Sequence, residues 1–157
     1  MSTRSEALAT KVEQSFNDLL AAIESSTPEQ WAAQCSDGEW TQGFAAFHAA
    51  AAIGSITQTV KGVAEGQPGP STTMEDLDAQ NAAQATEHAD CTVSETAGLI
   101  KEAAPAAVGM VRSLTDDQLD RKIKLLEGMP EVTIEMFAQM ALIGHATYHL
   151  GTITGAR

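Results

Sequence analysis

Residues 133–154, "TIEMFAQMALIGHATYHLGTIT", read as one helix, with Thr133 before the first turn and no proline within. At about 100° per residue, Ile134, Ala138, Ala141, Leu142, Tyr148, His149 and Thr152 fall within roughly 60° of His145. A helix must bury such a stripe against other helices, so this segment already implies packed helices. It also puts two of the chain's four histidines where solvent is expected to be scarce.

Working outward, the rest of the chain repeats the helical theme. Leu8, Val12, Phe16, Leu19 and Ile23 recur every three or four residues and predict a first helix to about Ser25. Thr or Ser followed three residues later by Glu or Gln lets each side chain satisfy a backbone donor of the first turn. That pattern occurs at Thr27 with Gln30, Thr72 with Glu75, Thr92 with Glu95 and Thr115 with Gln118, and Pro28 adds a first-turn proline. "DGEW" punctuates the chain at residues 37–40, and Thr41 caps a second long helix to about Ala64. "EGQPGPST" (65–72) then stops it. A third helix is expected from Met74 to about Ala89, and a fourth from Thr92 towards Leu114 that Pro105 kinks or breaks. Thr115 opens a short turn and "LEGMPEV" (126–132) reads as a loop.

The expected fold is therefore all-α: an antiparallel four-helix bundle, with the Pro/Gly segment as a crossover connection and short extra helical turns. At 157 residues the chain is expected to form a single domain, 1–157. Its scarcity of aromatic residues agrees with packed helices better than with a sandwich or barrel. A formal net charge of −12 argues against nucleic acid or an anionic membrane surface as partner. With neither an apolar leader nor a run of about 18 apolar residues, a cytoplasmic location is expected. Cys35 and Cys91, far apart and without CxxC spacing, are expected to stay reduced.

The histidines carry the chemistry. Side chains at i and i+4 stand about 5–6 Å apart at Cβ, so His145 and His149 are placed to share one metal ion. Two imidazoles bind an ion weakly, and His48 is the candidate third ligand. It lies in "GFAAFHAAAAIG" (43–54), where Phe44, His48, Ala52 and Ser55 share a face and the alanines leave room for an ion and a small ligand. A lone histidine on an apolar face is more often a packed core residue, so the argument rests on the three together. "GHATYH" has no Glu after its first His, which excludes an HExxH protease, and the absence of any Glu-x-x-His pair excludes a di-iron bundle. Leu77, Asn81, Ala85 and His88 share a face of the third helix, which brings Asn81 or His88 towards the pocket rim. Tyr148 is placed to orient a bound ligand or water, while Trp31 and Trp40 read as packing anchors.

A histidine after a Trp-containing entry ("EWTQGFAAFH"), HxxxH in the last helix, "LDAQNAAQATEHAD" and "LTDDQLDR" together resemble the DinB/YfiT-like metalloenzyme superfamily. The resemblance spans essentially the whole chain, and His48, His145 and His149 match the family's metal triad. It implies one divalent ion, most often zinc or nickel, and a homodimer. Family members include mycothiol-dependent maleylpyruvate isomerases and bacillithiol S-transferases, and this chain is expected to lack the isomerases' additional C-terminal domain. The function expected on this basis is thiol-dependent transfer to, or isomerisation of, a small electrophile, with a low-molecular-weight thiol as co-substrate. Two alternatives stand beside it: a hydrolase using metal-activated water, and a non-catalytic metal- or ligand-binding bundle.

Overall fold

The computed structural model describes residues 2–36 and 38–155. Its main helices are α1 (Thr3–Glu24), α3 (Gln42–Ala64), α5 (Val93–Ser113) and a C-terminal run of α7 (Ile134–Ala138), a π-helical segment (Gln139–Gly144) and α8 (His145–Thr154). Short helices α2 (Pro28–Ala32) and α6 (Asp116–Leu119) and the longer α4 (Met74–Glu87) fill the connections. A two-residue antiparallel pair, β1 (Lys122–Ile123) with β2 (Val132–Thr133), closes the loop between α6 and α7. Val132, expected in the loop, belongs to that pair instead.

Side-chain caps set most of the boundaries. Thr27, Thr92 and Thr115 each exchange hydrogen bonds with the residue three positions on, as the spacing predicts. The cap of α4 departs from expectation, since Thr73 with Asp76 replaces Thr72 with Glu75. The Thr72 carbonyl accepts from the Glu127 amide at 2.9 Å, which ties Thr72 to the β1–β2 loop and moves the helix start one residue on. Pro105 does not break α5. It sits on the exposed face, where water can reach the carbonyl its missing N–H leaves without a helical partner. Asp37, within the "DGEW" punctuation, lies outside the described residues. Its flanks are pinned by backbone bonds, Cys35 N to Trp40 O and Gln42 N to Ala33 O, both 2.8 Å.

α1, α5, α3 and the C-terminal run pack in that order around a closed ring, a four-helix bundle. Arg112 meets Glu6 and Lys101 meets Glu24, so α1 and α5 run antiparallel. α3 and α5 start together, where Phe44, Phe47 and Cys91 cluster, and run the same way. Parallel neighbours need a connection that returns along the bundle, and residues 65–92 supply it, carrying α4. The core is made by Val12, Phe16, Leu19, Ile23, Val60, Ile100, Val111 and Leu142, all essentially buried. Each such large side chain contributes roughly 1.5–3 kcal/mol by leaving water. No residue of α4 is buried, so that helix lies on the bundle and not within it.

The C-terminal run is helical throughout, but it is not one regular α-helix. Before the π segment Ile134, Phe137 and Ala138 are buried; within and after it the buried residues are Leu142, then Ala146, His149 and Ile153. On an ideal wheel these two sets are offset by about 100°, one residue's turn, and a π turn absorbs that extra residue. The single stripe expected from the sequence is thus two stripes in different register. Tyr148 and Thr152 leave the buried face as a result, and Tyr148 is 43% exposed.

Candidate metal centre

His48 projects from the second turn of α3, and His145 and His149 from the first two turns of α8, whose register the π segment sets. Their rings converge. His145 Nε2 lies 3.3 Å from His48 Nε2 and 3.2 Å from His149 Nε2, and the three donor atoms fall within 4.8 Å of one another. Two nitrogens each about 2.0–2.1 Å from one tetrahedral ion stand roughly 3.3–3.4 Å apart, so the spacing is that of a shared ion. The donor set also fits, being three imidazoles with no carboxylate or thiolate to add charge. Among the described residues it is the one group of three or more His, Cys, Asp or Glu side chains arranged this way.

Two of these rings are held in the neutral form that binds metal. Burial, and after it the neighbouring His48, hold the His145 imidazole down at about 4. Burial also lowers His48, against the opposing effect of its hydrogen bond to Gln84. In that bond His48 Nδ1 lies 2.9 Å from Gln84 Oε1. A carbonyl oxygen only accepts, so Nδ1 carries the proton and Nε2 keeps its lone pair facing the other two imidazoles.

Gln84 comes from α4, which explains why sequence reasoning passed over it. The face read there was Leu77, Asn81, Ala85 and His88, whereas Leu77, Gln80, Asn81 and Gln84 line the cavity beside the histidines. His88 is corrected in the same way. α4 ends at Glu87, not near Ala89, and His88 caps it with non-helical backbone, so its ring leaves that face and stacks on Phe47 at 4.2 Å between centroids. Asn81 does line the cavity. Tyr148 lines it too, with its ring edge-on to His149 at 5.1 Å.

Trp40 is more than a packing anchor. Its ring lies nearly parallel to His149 at 6.4 Å and tilted on His48 at 5.0 Å, and with His149 and Tyr148 it lines a second, smaller cavity of about 230 Å³. The signal was its position just before the capped start of α3, eight residues ahead of His48. Trp31 does anchor packing, since its Nε1–H donates to the Cys91 carbonyl at 2.8 Å and its ring covers Gly43. Cys35 and Cys91 are both buried and form no disulfide.

His48 and His145 open onto a cavity of about 620 Å³. Ala51, Ala52 and Ser55 of α3 form its floor, α4 one wall, and Leu125, Met129, Phe137 and Met140 the other. No Asp, Glu, Lys or Arg among the described residues lines it. No helix among the described residues is long and apolar enough to cross a membrane.

Three solved structures share this architecture. YfiT from Bacillus subtilis, described as "a probable metal-dependent hydrolase with an unusual four-helix bundle topology", superposes with a TM-score of 0.75 at 21% identity, covering 99% of this chain and 87% of that one. DfsB, a sibling lethal factor precursor, gives 0.74 at 13% identity, covering 99% of this chain and 96% of its own. A protein from Clostridium difficile 630 gives 0.70 at 14% identity, with the same two coverages of 99% and 96%. No curated protein matches the chain in sequence. The family model of the DinB superfamily matches residues 11–153, nearly the whole bundle including all three converging histidines, and the chain belongs to that superfamily.

Proposed function

We propose that the chain is a mononuclear metalloprotein that binds one divalent ion, zinc or nickel, through His48, His145 and His149, and uses it for thiol-dependent transfer to a small electrophile. The observation that carries the metal is the approach of His145 Nε2 to both His48 Nε2 and His149 Nε2 at the spacing of a shared ion. A divalent ion held by neutral ligands alone supplies Lewis-acid chemistry and favours the ionised form of an incoming thiol.

The chain's own residues do the rest. Gln84 holds the His48 tautomer, Trp40 stacks on His149, and Asn81 and Tyr148 offer polar groups beside the cavity. Among the described residues no carboxylate lines the cavity to serve as general base, which favours a nucleophile that ionises without one. In the transfer the sulfur–carbon bond forms, the electrophile's leaving group departs with its bonding pair, and the thiol proton passes to solvent. The second reading, hydrolysis, is favoured by the description of YfiT as a metal-dependent hydrolase.

Zinc-loaded protein should conjugate mercaptoethanol to chlorodinitrobenzene, followed by absorbance, and the rate should vanish in the metal-free chain. Cleavage of nitrophenyl acetate without thiol, together with no conjugation, would replace transfer with hydrolysis. Silence in both assays by a fully loaded protein would leave a binding role alone.

A further inference from the structure

The cavity beside the histidines has the size of small-molecule sites, which span about 300–1,000 Å³, and its lining is selective. In a chain of net charge −12, no Asp, Glu, Lys or Arg among the described residues faces it. Besides the histidines and the Tyr148 hydroxyl, its polar side chains are Ser55 of α3 and Gln80, Asn81 and Gln84 of α4, all neutral, and Leu125, Met129, Phe137 and Met140 make an apolar wall. Of the six large apolar side chains exposed among the described residues, Leu125, Met129, Met140 and Tyr148 all line this cavity. Such residues are scattered on an ordinary surface, and their concentration around one opening marks a place where apolar matter enters. Methionine suits that role because its flexible thioether adapts to varied shapes.

We propose that the cavity takes a small molecule with an uncharged, mainly apolar body and one polar group. That polar group faces His48 and His145, and the body lies against Phe137, Met140 and Leu125. The assignment rests on the proposed function for the direction the ligand faces. A charged body is rejected because an ionised group entering this lining loses its water and gains no counter-charge. The class of electrophile the site accepts is therefore neutral and aromatic or aliphatic, and a polyanionic one is excluded.

Two fluorescent probes that share a skeleton and differ in charge test this on the full chain, with and without one equivalent of zinc. They are neutral N-phenylnaphthylamine and its sulfonate, anilinonaphthalene sulfonate. The neutral probe should bind at one site in both states, and the sulfonate at least tenfold more weakly to the metal-free chain. Ala52→Trp, which fills the floor, should abolish neutral-probe binding. Should that variant misfold by circular dichroism, Met140→Lys serves in its place, because Met140 is 51% exposed and free to change. It should weaken the neutral probe and tighten the sulfonate. Equal affinity of the two probes for the metal-free native chain, or probe binding untouched by both variants, would overturn the assignment. So would neutral-probe binding that weakens as protein concentration rises, which would mean that a second copy covers the opening. Zinc that fails to bind while the neutral probe binds as described would overturn the metal reading and support this one.

Discussion

At the scale of single residues, the site depends on groups that are not themselves metal ligands. Gln84 fixes which nitrogen of His48 carries the proton, and partners of this kind typically account for a 10–100-fold effect on metal affinity. Gln84→Leu is therefore expected to weaken zinc binding by about that factor in a chelator competition, with the helical circular dichroism unchanged. Gln84→Glu, which restores an acceptor, should recover most of the loss. Gly43 is as constrained as any side chain, because a Cβ there would stand 2.5 Å from Trp31 Nε1. Gly43→Ala should cost roughly 1–3 kcal/mol in urea denaturation by displacing the indole from the Cys91 carbonyl.

Protons act on the same residues. His145 and His48 are lowered in the fold, so between the unfolded value near 6.5 and the folded one the unfolded chain binds more protons. Their contribution is intact above about pH 6.5 and is lost as pH falls towards about 4. The metal-free native chain should lose more stability on that descent than His145→Gln does, as measured by denaturant midpoints across the range. A steeper loss in the variant would reverse the assigned sign.

At the scale of elements, what could be read from sequence depended on how local its cause was. Thr27, Thr92 and Thr115 were legible as caps because a cap needs only its own first turn. Thr72 misled because its carbonyl is held by Glu127, some fifty residues away in sequence. The convergence of His48, His145 and His149 was legible from helical spacing together with the small residues around His48. Trp40 and Gln84 were not, since their roles arise only when the 33–42 loop and α4 dock beside α3.

The π segment was hidden for a different reason. The wheel assumes a constant angle per residue, and one extra residue at Gln139–Gly144 breaks that assumption without breaking the helix. Removing exposed Gln139 should convert the run into a regular α-helix with both buried stripes on one face, so the variant should fold with a thermal midpoint near the native one. Removing exposed Thr147 from α8 should instead turn Ile153 out of the core and lower the midpoint by several degrees. Equal losses in the two variants would contradict the register assigned here.

At the scale of the whole molecule, the bundle and the site are separable. The core of α1, α3, α5 and α8 is built from aliphatic and aromatic side chains that owe nothing to the histidines. Folding should therefore not require an ion, and an ion should only add stability. Linkage sets that gain at about 2.7 kcal/mol when free metal is a hundredfold above its dissociation constant. α4 stands apart from this core, with no buried residue, yet it supplies Gln84 and a wall of the cavity. The bundle thus provides the core and the crossover provides the site's outer face.

The central claim is that His48, His145 and His149 together hold one divalent ion, and metal content by plasma mass spectrometry tests it most directly. After loading with zinc and removal of excess, the native chain and His88→Ala should each retain one ion per chain. His48→Ala, His145→Ala and His149→Ala should each lose most of it, because two imidazoles remain and water takes the vacated position. Full occupancy in His48→Ala, or no retention by the native chain, would contradict the account.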